Sequence, residues 1–154
     1  MIEPGCDLGA VIIEHLDKAG LVPQDGDIIA LAQKIVSKAE GCLVNLKDIE
    51  PSAEALKLAY SKEKDPRIAE LILRESKRVV RDTSTVLIVE HRLGIVLANA
   101  GIDRSNVNDD EDVVLLLPDD PDASALNLKE KLDAHFGISL GIVITDSVGR
   151  PWRL

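Results

Sequence analysis

Residues 27–34 read Asp-Ile-Ile-Ala-Leu-Ala-Gln-Lys, and this stretch decides the fold. Asp25-Gly26 ahead of it is a turn signal, and residues 27–32 form an apolar run of strand length, predicted to be mostly buried. The segment after it, residues 33–41, carries Gln33, Lys34 and Lys38 and ends at Gly41; taken alone it reads as a surface turn. Upstream, Asp7 is placed to cap a helix over residues 8–18, with Leu8, Val11, Ile12 and Leu16 on one face and Gly20 as the stop signal. Downstream, helices are predicted over residues 52–62, from Asp65-Pro66 to about Ser76, and over 123–136 with Gly137 closing the last. Strands are predicted over 84–90, 94–99, 113–117 and 138–145. Strands separated by helices at this spacing make an α/β domain, a mixed β-sheet with flanking helices, spanning residues 1–154 as one unit.

The chain of 154 residues is long enough for one core, and 45% hydrophobic with 29% charged residues is a globular composition. Eighteen Lys and Arg against 27 Asp and Glu leave a net charge of −9, which argues against a nucleic-acid partner, since such binding runs on clustered positive charge. Tyr60, Phe136 and Trp152 are the whole aromatic complement, too few for a base-stacking platform. No apolar stretch approaches a membrane span, and the start lacks a signal-peptide pattern, so a cytoplasmic location is expected. Cys6 and Cys42 form no Cys-x-x-Cys pair, and His15, His91 and His135 are scattered, so these read as ordinary thiols and as structural or surface histidines. The charge run over residues 108–112 reads as a solvated loop.

Two short segments carry candidate chemistry. Residues 98–106 read Ala-Asn-Ala-Gly-Ile-Asp-Arg-Ser-Asn, and residues 142–150 read Ile-Val-Ile-Thr-Asp-Ser-Val-Gly-Arg. Each puts one carboxylate, Asp103 or Asp146, just past a strand-forming run, where an open sheet presents side chains to ligands. Two such acids brought together repel unless a cation lies between them, which points to a divalent metal. Lys34 and Lys38, after the first predicted strand, suit phosphate oxygens. No Gly-x-x-x-x-Gly-Lys-Ser/Thr loop is present, so a nucleotide site here is of another kind. Asp103, Asn106 and Asp146 taken singly are equally compatible with turn-capping roles.

Taken in order, Val36-Ser-Lys-Ala-Glu-Gly41, Asn99-Ala-Gly-Ile-Asp-Arg-Ser-Asn106, Leu115-Leu-Leu-Pro118 with the following Asp-Pro-Asp, and Ile142-Val-Ile-Thr-Asp146 with Gly149-Arg150 resemble the coenzyme F-420-0:L-glutamate ligase (F-420 γ-glutamyl ligase) family. The resemblance runs across nearly the whole chain. It implies a GTP-dependent amide ligase that phosphorylates the carboxylate of a deazaflavin coenzyme precursor and lets the α-amine of L-glutamate attack the acyl phosphate, releasing GDP and phosphate. It further implies that Gln33, Lys34, Lys38 and Asn106 contact GTP and that Asp103, Asp146 and Ser147 bind a divalent metal, Mg²⁺ or Mn²⁺, with K⁺ a further candidate. A homodimer and a larger two-lobed ligase fold are implied as well. Because members of that family extend beyond both ends of this stretch, the chain is expected to be an N-terminal portion. Two other readings stand beside it: a non-catalytic fragment that keeps the fold and nucleotide binding, and an α/β module for another phosphorylated metabolite.

Overall fold

The computed structural model describes residues 2–60, 64–83, 86–104 and 112–146. Among the described positions, contacts group them into two compact units, the first formed by residues 2–42 with Leu117–Asp146 and the second by Leu43–Leu116. The α/β class expected from the sequence is present in both. Among the described residues, however, the strands form three separate ladders and not one sheet.

In the first unit, helix α1 (Leu8–Ala19) is followed by strand β1 (Ile28–Ala32) and helix α2 (Gln33–Ala39). Helix α5 (Pro121–Phe136) and strand β7 (Gly141–Thr145) complete it. Asp7 caps α1 by accepting from the Ala10 amide at 3.0 Å, and Gly20 ends it at φ 66°, a left-handed conformation glycine adopts without steric cost. Strands β1 and β7 pair in parallel, Ile28 with Gly141 through to Ala32 with Thr145. The crossover that parallel pairing requires is covered by α5, whose Lys129 donates to Asp133 at 2.6 Å and to the Leu140 carbonyl at 2.8 Å. The core gathers Leu8, Leu31, Val36, Ala39 and Leu128, with Ile12, Ile29, Ile35, Ile142 and Ile144 against them. Each such leucine or valine contributes roughly 1.5–3 kcal/mol by leaving water.

Residues 33–39 are a helix and not the surface turn that the isolated segment suggests. Ala32 provides no side-chain cap, so the usual sequence signal for a helix start is missing. Burial of Val36 and Ala39 and a 2.5 Å hydrogen bond from Gln33 Nε2 to Ser37 Oγ, one turn on, hold the helix instead.

The second unit contains strand β2 (Leu43–Asn45), helices α3 (Ala53–Tyr60) and α4 (Pro66–Arg74), and strands β3 (Ser76–Asp82), β4 (Leu87–His91), β5 (Val96–Ala98) and β6 (Val113–Leu115). Strand β2 pairs antiparallel with β6, and β3, β4 and β5 form an antiparallel meander. Its core is Leu46, Ile68, Leu71, Ile72, Leu87, Val89, Ala100 and Val114. Pro66 opens α4 behind the Asp65 cap, which accepts from the Arg67 amide at 2.9 Å. The helix ends at Arg74, two residues before the predicted end. Strand β3, which carries Lys77, Arg78 and Arg81, was not anticipated, because its residues are mostly exposed and lack the alternation that marks a half-buried strand.

Two buried ionisable groups set acid responses in this unit. The Glu70 carboxylate joins α4 to the start of α3: the Ser52 hydroxyl, the Ser52 amide at 2.9 Å and the Arg74 guanidinium at 2.8 Å hold its pKa down to about 2. A carboxyl depressed in the folded state adds stability that is complete above its ordinary 4.5 and is lost as pH falls towards 2. Glu70→Gln is expected to cost about 1–3 kcal/mol at pH 7 and to flatten the acid limb over that window in urea melts. An unchanged acid limb would contradict this.

His91 is fully buried at the end of β4. Its Nδ1 accepts from the Leu93 amide at 3.1 Å, so the neutral ring carries its proton on Nε2. That atom lies 3.3 Å from Glu75 Oε2 but off the axis a hydrogen bond needs. Burial pushes the imidazole pKa down, opposed by the Glu75 charge and reinforced by Arg92, whose Nε lies 2.8 Å from the same carboxylate. The unfolded chain therefore takes up this proton first. Stability should be complete above about 6.5 and decline as pH falls below it. His91→Gln should reduce the difference in urea midpoint between pH 7.5 and pH 5; a difference equal to the parent's would refute the assignment.

Candidate functional site

In the first unit the parallel pairing of β1 and β7 brings both carboxyl ends to one edge, with Ala32 opposite Thr145. Thr145 Oγ1 donates to the Leu31 carbonyl at 3.3 Å and fastens that edge. The next residue on each strand is a predicted site residue, Gln33 on one side and Asp146 on the other, and Asp146 is exposed. This is the edge at which open α/β sheets receive ligands. Gln33 is buried and its amide orders Ser37, so its side chain acts from within the helix. Lys34 and Lys38 are one turn apart on α2 and so share a face, which the buried Gln33 and Ser37 adjoin. Both lysines are half-buried. The first unit thus carries Gln33, Lys34 and Lys38 on α2, directly after β1, and Asp146 directly after β7.

In the second unit Asp103 is held by its backbone. Its amide donates to the Leu115 carbonyl and its carbonyl accepts from the Leu115 amide, both at 2.9 Å, an antiparallel bridge on the side of β6 away from β2. Its N–H and C=O are thus both committed, and its side chain is half-buried. The chain reaches it through an unusual turn. Asn99, Ala100 and Gly101 stand in succession at φ 49°, 54° and 68°, a left-handed turn of three residues. For the two non-glycine positions this conformation costs roughly 1–2 kcal/mol each. Asn99 offsets part of that cost by accepting on Oδ1 from the Leu87 amide at 3.2 Å and from Lys64 Nζ at 2.8 Å, while Ala100 is buried in the core. Strain maintained by its surroundings is characteristic of functional loops.

Asn99 and Lys64 were not among the residues singled out from the sequence. The run Asn-Ala-Gly was a usable signal for Asn99, because Asn and Gly tolerate positive φ; nothing local marks Lys64. Asn106 and Ser147 lie outside the described residues. Among the described residues, no cluster of three or more His, Cys, Asp or Glu side chains is arranged to hold a metal ion. The predicted donor set does not depend on such a cluster, since it consists of two carboxylates and a hydroxyl. Oxygen donors of this kind suit hard cations; Asp146, in the first unit, is exposed, and Asp103, in the second, is held by its bridge to Leu115.

The model of the F420-0:gamma-glutamyl ligase family matches residues 1–154. The chain belongs to this family. It is 44% identical over 152 residues to the coenzyme F420:L-glutamate ligase of Methanopyrus kandleri, covering 99% of the chain and 58% of that protein. It is 43% identical over 153 residues to the coenzyme F420:L-glutamate ligase of Methanothermobacter thermautotrophicus, covering 99% and 60%. The protein of the same name from Methanosarcina mazei is 40% identical over 154 residues, covering 100% and 58%. The chain therefore spans less than two thirds of the length of these relatives. Among the described residues no helix is long and apolar enough to cross a membrane.

Proposed function

We propose that this chain carries the nucleotide- and metal-binding part of a ligase that joins L-glutamate to the coenzyme F420 precursor at the expense of GTP. The observation that carries the reading is the carboxyl edge of β1 and β7, where Gln33 and Asp146 emerge side by side and α2 presents Lys34 and Lys38, in a chain that matches the ligase family from end to end.

In this reading the ammonium groups of Lys34 and Lys38 attract the GTP phosphates, and Asn106 contacts the nucleotide. Lys38 stabilises negative charge on the phosphoryl group during transfer. The precursor carboxylate attacks the γ-phosphorus, the bond to the β-phosphate oxygen breaks, and GDP leaves. The α-amine of glutamate then attacks the acyl carbon, loses a proton and expels phosphate, leaving an amide. Asp103, Asp146 and Ser147 are the residues that would hold Mg²⁺ or Mn²⁺. Such an ion, when bound, offsets phosphate charge. Asp103 contributes a carboxylate fixed in place by its bridge to Leu115. Water exclusion matters because the acyl phosphate hydrolyses readily.

Calorimetry with GTP and Mn²⁺, followed by an assay of GDP release in the presence of precursor and glutamate, tests this. Binding with glutamate-dependent release supports it. Binding without release supports the non-catalytic reading, and no GTP binding at all rejects the nucleotide assignment.

A further inference from the structure

We propose that the outer face of the β1–β7 sheet in the first unit is a docking surface for an apolar helix from the part of the polypeptide that longer family members carry outside this stretch. Strand β1 reads Ile-Ile-Ala-Leu-Ala and β7 reads Gly-Ile-Val-Ile-Thr, so neither contains a charged residue. Successive side chains of a strand point to opposite faces. Ile29, Leu31, Ile142 and Ile144 pack with the core of the unit, which leaves Ile28, Ala30, Ala32, Gly141, Val143 and Thr145 on the other face.

That other face is open. Ile28 is 68% exposed and Val143 43%, and Ala30, Ala32 and Thr145 are exposed beside them. Parallel strands have continuous apolar sequences because helices cover them on both sides. Here Leu8 of α1, Val36 of α2 and Leu128 of α5 lie against the inner face. Strand β3 shows what this chain places on a strand that faces water. Of its five exposed residues, Lys77, Arg78, Arg81 and Asp82 are charged and Val80 is not. The five exposed residues of β1 and β7 are Ile, Ala, Ala, Val and Thr. Such a composition belongs to a covered face.

The size of the face selects its occupant. Five residues of strand extend about 16 Å and two strands about 10 Å across, a footprint on the order of 200 Å². A stable contact between separate proteins takes about 800 Å² from each partner, so by itself this face is too small for a second copy. A tethered segment needs no such area, because linkage raises its effective concentration to the millimolar range. The relatives supply the tether: the chain spans 58% and 60% of two of them, so about two fifths of their length lies outside the match. A helix of about eleven residues, rising 1.5 Å per residue, runs the length of the face. Across the pair Ile28 stands opposite Gly141 and Val143 opposite Ala30, so each large side chain has a small neighbour and an incoming helix finds gaps to fill. The inference rests on family membership and sheet composition and stands or falls separately from the nucleotide assignment.

The test is thiol labelling. Ala30→Cys and Val143→Cys are introduced singly into this chain, and cysteine is placed at the aligned positions of the full-length Methanopyrus kandleri ligase. Maleimide labelling is followed by mass spectrometry, which separates these sites from Cys6 and Cys42, and each rate is divided by that of the same protein unfolded in guanidinium. Both sites should be about tenfold or more better protected in the full-length ligase than in this chain. Ile28→Lys provides a second readout. It should leave the urea midpoint of this chain unchanged, whereas lysine at the aligned position of the full-length ligase should lower the midpoint, because the charge would be buried there. Equal protection in the two proteins, or an equal midpoint shift, would overturn the proposal. So would protection in this chain that grows with its concentration, since the face would then join two copies.

Discussion

Asp103→Asn and Lys38→Ala are each expected to lower the proposed GTP-dependent glutamate ligation by about 100-fold or more when introduced into a full-length ligase. Asparagine has the shape of aspartate and leaves both 2.9 Å backbone hydrogen bonds to Leu115 in place. Alanine is a better helix former than lysine, so Lys38→Ala does not weaken α2 through helix propensity. Thermal melts of both variants beside the parent separate a loss of chemistry from a loss of fold. Turnover within a few-fold of the parent in either variant would remove that residue from the phosphate-handling set. Calorimetry divides the two roles: Lys38→Ala should weaken GTP binding with or without metal, whereas Asp103→Asn should matter only when Mg²⁺ or Mn²⁺ is supplied.

The second large effect is on folding. Ala100 combines a φ of 54° with 1% exposure, inside the core formed by Ile68, Ile72, Leu87 and Val114. Ala100→Val adds two methyl groups where packing is complete and puts a β-branched residue in a backbone region it tolerates least. Overpacking typically costs about 1–3 kcal/mol and the conformational penalty adds to it. A total of roughly 3 kcal/mol or more is expected, a large share of the stability of a domain this size. Ala100→Gly is the informative partner. It relieves the left-handed strain but loses a buried methyl, so its net change should be within about 1 kcal/mol. If valine and glycine prove equally harmless in chemical denaturation, the turn is not held as described.

Local chemistry made some elements readable and tertiary contacts made others. Asp7 and Gly20 bracket α1, Asp65-Pro66 opens α4 and Gly137 closes α5, because caps and stop signals are properties of single residues. Helix α2 has no such marker at Ala32 and owes its existence to Val36, Ala39 and the Gln33–Ser37 bond, which only the folded unit creates. Strand β3 is polar and largely exposed, and β2 has three residues, so neither carries the periodicity a reader of sequence relies on.

The candidate site divides in the same way. Asp146 was correctly expected beyond a strand end, since the apolar run before it is unambiguous. The residues before Asp103 were less transparent: the strand was expected to continue to residue 99, yet it stops at Ala98 and turns left-handed. A backbone bridge to Leu115, twelve residues further along the chain, then sets the position of Asp103. No local pattern encodes a bridge of that kind.

Leu31 and Thr145, hydrogen-bonded to one another, are 114 positions apart in the chain. A ribosome adding about 5–20 residues each second needs roughly 6–23 seconds to travel that far. The intervening stretch from Leu43 to Leu116 is contiguous and holds its own core, so it has time to condense while β1 still lacks its neighbour. Nascent chains arrested before Ile142 should therefore protect the middle of the protein from protease and leave the early strand open to cleavage.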